Sequence, residues 1–295
     1  NMQIIQNRKI WFTISTSLVV VSIILLSTLG LKLNIDFTGG SLLEVEYIEE
    51  RVDIAEIRQS VEEAGFVEGS VQPTDEKGLL VRQVTLSEDR HQELLSVLKT
   101  HGELEEMRFD SIGPVIGEEL QRKSFVALGL IFLSIILYVA FAFRKVSRYI
   151  KSWKYGVLTI VAALHDIFIP LGVFALLGHF TGATVGTAFV AALLTILGYS
   201  VNDSIVVFDR VRENLIADGD DHFEETVNKS VTQTIARSIN TTVTTLLALI
   251  AIYIFGGETV KDFVLVLIIG IGVGAYSSVF LASPLLVTWR NWENK

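Results

Sequence analysis

Six stretches of the chain stay apolar for about the 20 residues a helix needs to cross a bilayer: residues 10–29, 124–143, 155–177, 185–208, 238–255 and 263–287. Between the first two the pattern shortens into alternating and helical runs. Residues 42–47 alternate, with Leu43, Val45 and Tyr47 on one face, and read as a strand. Asp53, with Glu56 three residues on, opens a helix whose apolar positions are Ile54, Ile57, Val61 and Ala64. Gly65 stops it. A short strand near 67–72 follows, then one over 79–85 after a turn at 73–78. Ser87 opens a second helix burying Leu94, Leu95 and Leu98, Gly102 closes it, and 104–110 is the last strand. The order β-α-β-β-α-β is the ferredoxin-like α+β arrangement. The expected fold is therefore a six-helix transmembrane bundle with such a domain between spans one and two. Residues 1–30 form the first part, 31–123 the inserted domain, and 124–295 the remaining five spans. The inserted domain carries neither a Gly-rich phosphate loop nor a His/Asp ligand cluster. A binding or mechanical role fits it better than catalysis, and the fold itself implies no activity.

Composition agrees with a membrane protein. Half of the 295 residues are hydrophobic and the mean hydropathy is +0.50. Cysteine is absent, so neither a disulfide nor a Cys-ligated metal supports the fold. Residues 31–123 hold 21 acidic against 10 basic side chains, a net of -11, while the rest nets +2. Such acidity argues against nucleic acid as a partner. The 144–154 loop carries Arg144, Lys145, Arg148, Lys151 and Lys154 without an acid, which predicts a cytoplasmic position. Arg8 and Lys9 before span one, and Arg290 and Lys295 after span six, agree. The loops at 178–184 and 256–262 hold only Lys261 as a base. Both termini are thus expected inside and the acidic domain outside. The first span is too long, and lacks the small-x-small site, for a cleaved signal peptide. Asn1 ahead of Met2 reads as a scar or a cut from a longer fusion.

Several polar residues stand inside the spans. Asp203 lies in an otherwise apolar stretch, where a carboxylate costs roughly 2.5–3.5 kcal/mol on insertion scales. Cation binding, proton carriage or pairing with a base would explain its presence. Arg237, opening span five at similar depth, is the expected partner. Positions 237, 241, 244 and 245 share a face and put a hydroxyl stripe below the guanidinium. Arg237 stays charged while Asp203 can be neutralised, so the pair could be a proton-coupled switch or a static lock. His165 and Asp166 form a second ionisable pair near the middle of span three. Asp209 and Arg210 read as anchored charges at the inner rim. Gly270, Gly274 and Ser278, four residues apart, offer a surface for close helix packing. Two glycine motifs flank the inserted domain: Asp36-Phe37-Thr38-Gly39-Gly40 and Ile112-Gly113-Pro114-Val115-Ile116-Gly117. Turn chemistry explains them, and a close-packed junction is compatible with it.

Over nearly its full length the chain resembles the SecF family of bacterial protein-export membrane proteins, within the resistance-nodulation-division superfamily. The run from Gly198 to Asn214 carries the likeness, together with the Asp36–Gly40 motif, Gly113-Pro114 with Gly117, and Leu164-His165-Asp166. Arg237 with Asn240-Thr241, Gly256-Gly257 and Tyr276-Ser277-Ser278 complete it. The resemblance implies a non-enzymatic six-span partner of SecD that uses the proton motive force to help the SecYEG channel complete export of an unfolded preprotein, with YidC as a further associate. It implies the bacterial inner membrane, no cofactor beyond the proton gradient, and no metal. Asp203 and Arg237 match the family's positions for proton passage. His165, Asp166, Asn202, Asp209, Asn240 and Thr241 are the residues left for relay or support. Two other readings are a stand-alone proton-coupled transporter, which the lack of an evident internal repeat disfavours, and an intramembrane aspartyl protease built on Asp166 and Asp203, for which no Gly-x-Gly-Asp motif is present.

Overall fold

The computed structural model describes residues 3–67, 69–74, 76–142, 151–219 and 221–293. Arg144, Lys145, Arg148, Phe143 and Lys295, used above for span ends and orientation, lie outside these residues. The chain divides into two compact units, residues 33–125 and the remainder.

The smaller unit is built on a four-stranded antiparallel sheet. Its elements are α2 (Ile35–Thr38), β1 (Gly40–Tyr47), α3 (Ile54–Glu63), β2 (Ser70–Pro73), β3 (Gly78–Gln83), α4 (Glu88–Lys99) and β4 (Leu104–Ile112). The strand order is β2-β3-β1-β4, with Leu43 opposite Val81 and Phe109. Alternation works as expected: Leu43, Val45 and Tyr47 from β1 enter one core with Ile57 and Val61 of α3 and Leu94, Leu95 and Leu98 of α4. The starts of α3 and α4 are capped by side chains, Asp53 accepting from the Ala55 N–H at 2.7 Å and Ser87 from the Arg90 N–H at 3.4 Å. Gly65 turns the chain with a φ of 84°.

Strand limits shift from those expected. Val67 is 71% exposed and β2 starts only at Ser70, just after Gly69, where a Cβ would collide with the Arg82 carbonyl. The strand expected over 79–85 ends at Gln83. β4 runs two residues further than expected, to Ile112, and its pairing with β1 shifts register between Glu44 and Val45.

Tyr47 is buried and its hydroxyl donates to the Leu98 carbonyl at 3.1 Å. Burial pushes this phenol up from 10.0 to about 12. Below pH 10 the folded and unfolded chains both keep the proton and the contribution is intact. Above it the unfolded chain releases the proton first, so stability falls as pH rises toward about 12. Denaturant melts across this range should show the wild type losing more stability than Tyr47→Phe; parallel pH profiles would refute the assignment.

The two flanking motifs meet within this unit. Gly39 sits at a φ of 72° and Gly40 at 131°. A Cβ on Gly39 would lie 2.7 Å from Pro114 Cα, and one on Gly117 would lie 2.8 Å from the Gly39 nitrogen. Pro114 opens the next helix, where its missing N–H costs nothing. Turn conformation and close packing therefore coexist here.

The larger unit holds the long helices: α1 (Arg8–Leu29), the body of α5 (Pro114–Ala142), α6 (Ser152–Phe180), α7 (Thr187–Asp218), α8 (Phe223–Phe255), α9 (Glu258–Ser277) and α10 (Ser283–Glu293). Among the described residues, six segments are long and apolar enough to span a membrane, the last running Val260–Glu293 through α9 and α10. α6 and this last segment are mostly buried, whereas α5 and α8 expose nearly all of their apolar windows. Small residues set the closest crossings. Gly172 of α6 faces Ser22 of α1, and on α9 Gly270 faces Ile196 and Gly274 faces Ser200 of α7.

α7 and α8 extend well past the apolar runs expected at 185–208 and 238–255. Hydropathy misses these extensions because they are amphipathic. Val211 and Leu215 of α7 and Val227 and Val231 of α8 are all buried, and Asn214 donates to Ser230 at 2.8 Å and to Gln233 at 3.0 Å. Lys154, expected in a loop, lies in α6 and pairs with Glu293. α9 and α10 are joined by a π-helical turn, Ser278–Ala282.

Candidate functional site: two carboxylates held by serines

α7 presents Ser200 and Asp203 toward α6, α8 and α9, because residues three apart share a helix face. Asp203 is half-buried. Its Oδ1 accepts from the Ser238 hydroxyl of α8 at 2.6 Å, and its Oδ2 from Ser278 at 2.5 Å. A serine hydroxyl both donates and accepts, so the same two groups serve the ionised carboxylate and the neutral acid without moving.

Asp203 opens onto a cavity of about 320 Å³ lined also by Tyr199, Asn202, Thr241, Thr244 and Thr245. The threonine hydroxyls turn back on their own helix: Thr241 donates to the Arg237 carbonyl at 3.0 Å and Thr244 to the Asn240 carbonyl at 2.9 Å. Their oxygens keep lone pairs toward the cavity. Tyr199 meets Thr245 across it at 3.4 Å.

A second carboxylate lies in the core. Asp166 is fully buried, and its Oδ2 accepts from Ser200 at 2.5 Å and Ser277 at 2.6 Å. Its Oδ1 meets His165 Nδ1 at 2.8 Å. Pro170, four residues on in α6, has no N–H to offer the Asp166 carbonyl. Ser277 ends α9 and Ser278 starts the π-turn, so consecutive hydroxyls serve the two carboxylates. Single-turn π-segments inside helices recur at functional sites.

The expected Asp203–Arg237 pair is not formed. Arg237 is exposed, and among the described residues no ion pair joins it to Asp203. The cause is helical register. Ser238 takes the face turned to α7 and α9, and one residue back lies about 100° around the helix. The hydroxyl stripe is present in residues 241, 244 and 245, without the guanidinium above it. Asp209 pairs with Arg212 at 2.9 Å and Arg210 with Glu213 at 3.0 Å, local ion pairs that keep them apart from the carboxylate network. Asn202 lines the cavity, while Asn240 is exposed. Sequence reasoning missed Ser200, Ser238, Ser277 and Ser278 as partners of the carboxylates. Their one signal was the occurrence of hydroxyls at helical spacing inside apolar runs, which is common in membrane helices.

Comparison with known proteins matches this architecture. A family model described as protein export membrane protein SecD/SecF, C-terminal, matches residues 93–292, and one for the SecD/SecF GG motif matches residues 24–47. The protein translocase subunit SecF of Thermobaculum terrenum is 41% identical, covering 98% of this chain and 94% of that one. The SecDF of Thermus thermophilus is 39% identical, covering 89% of this chain and 35% of its own length. A crystal structure of SecDF from that organism, called a translocon-associated membrane protein, superimposes with a TM-score of 0.86 at 34% identity. The likeness covers 98% of this chain and 39% of that one. The chain, a multi-pass membrane protein, belongs to the SecD/SecF family of protein-export membrane proteins.

Proposed function

We propose that the chain is the SecF-type subunit of a proton-driven accessory to the Sec channel, working with SecD and SecYEG in the bacterial inner membrane. YidC and the emerging preprotein are the further partners this reading includes. Asp203 exchanges the proton. The observation carrying this is an aspartate inside membrane helices, bonded among the described residues through hydroxyls that tolerate both of its protonation states and open to a polar cavity. Arg237 is then free to approach Asp203 in one state of the cycle and leave it in another, which would bias its charge. Both termini lie in the cytoplasm, and residues 31–123 form an exported domain with the ferredoxin-like arrangement. The exposed face of α8, with Arg237 and Asn240 among apolar residues, favours a subunit with a membrane partner over a self-contained transporter. The chain matches only 39% of the SecDF structure, leaving room there for the SecD half.

Dissipating an imposed proton gradient with a protonophore is the test. In vesicles holding this chain, SecD and the channel, it should remove the stimulation of export and spare the step driven by ATP. Stimulation that survives the protonophore would refute the reading.

A further inference from the structure

His165 and Asp166 are the most deeply buried ionisable pair among the described residues of the helical unit, and the function proposed above leaves them idle. The Asp166 oxygens are fully engaged by Ser200, Ser277 and His165. His165 is not. It is 4% exposed, and its Nε2 is buried without a hydrogen-bond partner among the described residues. An imidazole whose Nδ1–H is fixed on a carboxylate presents Nε2 as a base. The carboxylate at 2.8 Å from Nδ1 would compensate the charge gained there. Nε2, buried with no partner among the described residues, is thus an open site for one proton.

Neighbouring residues bond the two carboxylates. Ser277 donates to Asp166 and Ser278 to Asp203, and the two residues are adjacent at the start of the π-turn. The Ser283 hydroxyl bonds the Ser278 carbonyl at 3.1 Å and closes that turn. The ionisable groups touching the network are Asp203 of α7 and Tyr276 of α9, whose ring stacks on His165 at 6.2 Å. α1 brings Ser15, bonded to the Tyr276 hydroxyl, and α8 brings Ser238.

We propose that the His165–Asp166 dyad is a second proton-binding site, coupled to Asp203 through the adjacent hydroxyls of Ser277 and Ser278. The proton adds to the Nε2 lone pair, the imidazolium keeps its Nδ1–H on Asp166, and the dyad passes from a charge of -1 to neutrality. Release reverses the step. The coupling rests on Asp203 exchanging protons, as argued above.

The experiment is nitrogen-15 NMR of the full chain in lipid vesicles, with labelled histidine, titrated from pH ~5 to ~9 where imidazoles ordinarily change charge. The resonance lost in His165→Gln should convert from bare to protonated Nε2. Should that variant not fold, replacing His91, His101, His179 and His222 leaves His165 as the one reporter. Asp203→Asn should lower the midpoint, because a negative charge of the same network is gone. Ser277→Ala should raise it, since Asp166 loses a donor and leans harder on the imidazolium. In the double variant the Asp203→Asn shift should shrink. An Nε2 that does not titrate overturns the site. An unmoved midpoint in Asp203→Asn, or an undiminished shift in the double variant, overturns the coupling. Failure of the Asp203 reading shows separately, as export stimulation that survives Asp203→Asn.

Discussion

Asp203→Asn should abolish the proton-dependent stimulation of export and leave the helical unit folded. The amide matches the carboxylate in size. Its carbonyl oxygen can accept from one serine, and its NH₂ can donate to the other once that hydroxyl turns. The bonds to Ser238 and Ser278 can therefore persist in altered sense. What disappears is the exchangeable proton, so a proton-driven step loses all of its drive rather than a fraction. Vesicles with the partner subunits, assayed with and without an imposed gradient, measure the loss, and thermal melting in detergent measures folding. Wild-type stimulation in a normally folded variant would end the proton role of this residue. A variant that melts far below the wild type would show that Asp203 is chiefly structural.

The second large effect lies in the glycine junction of the sheet unit. Gly39→Val combines two penalties. A positive φ of 72° with an extended ψ of 166° costs a side-chain-bearing residue about 1–3 kcal/mol, and overpacking costs about 1–3 kcal/mol more. The collision is with the Pro114 backbone at 2.7 Å, which has no rotamer to yield. A loss of about 3 kcal/mol is expected, read as a lower denaturation midpoint of the purified chain. Gly113→Ala is the control, because a Cβ at Gly113 meets nothing within 4 Å. Equal effects of the two substitutions would remove the packing argument.

The spans were legible because an unbroken apolar run of about 20 residues suits little besides a bilayer. The sheet core was legible because alternation at Leu43, Val45 and Tyr47 leaves one register. Helix ends beyond the apolar runs were not. The extensions of α7 and α8 bury a narrow stripe under a charged face, which a hydropathy average dilutes. The ionisable residues of the site were legible one at a time, since a carboxylate in an apolar run is conspicuous. Their partners were not. A guanidinium is the conspicuous base for Asp203, yet one step of helical register gives its place to Ser238. The serines bonding Asp166 come from positions 34 and 111 residues away along the chain. No local pattern encodes such a contact.

The exposed face of α8 has a consequence for how the protein is made. Arg237 and Asn240 share the outside of this helix with Ile239, Val243 and Leu247. A guanidinium on the lipid side near the start of the span carries a solvation penalty that its reach toward the interface reduces, and a partner helix presenting polar groups would relieve the rest. A copy made in excess of its partner would bear that penalty uncompensated, and local opening of α8 would be correspondingly easier. Under the proposed pairing with SecD, balanced synthesis of the two subunits is thus favoured by the energetics of one helix surface.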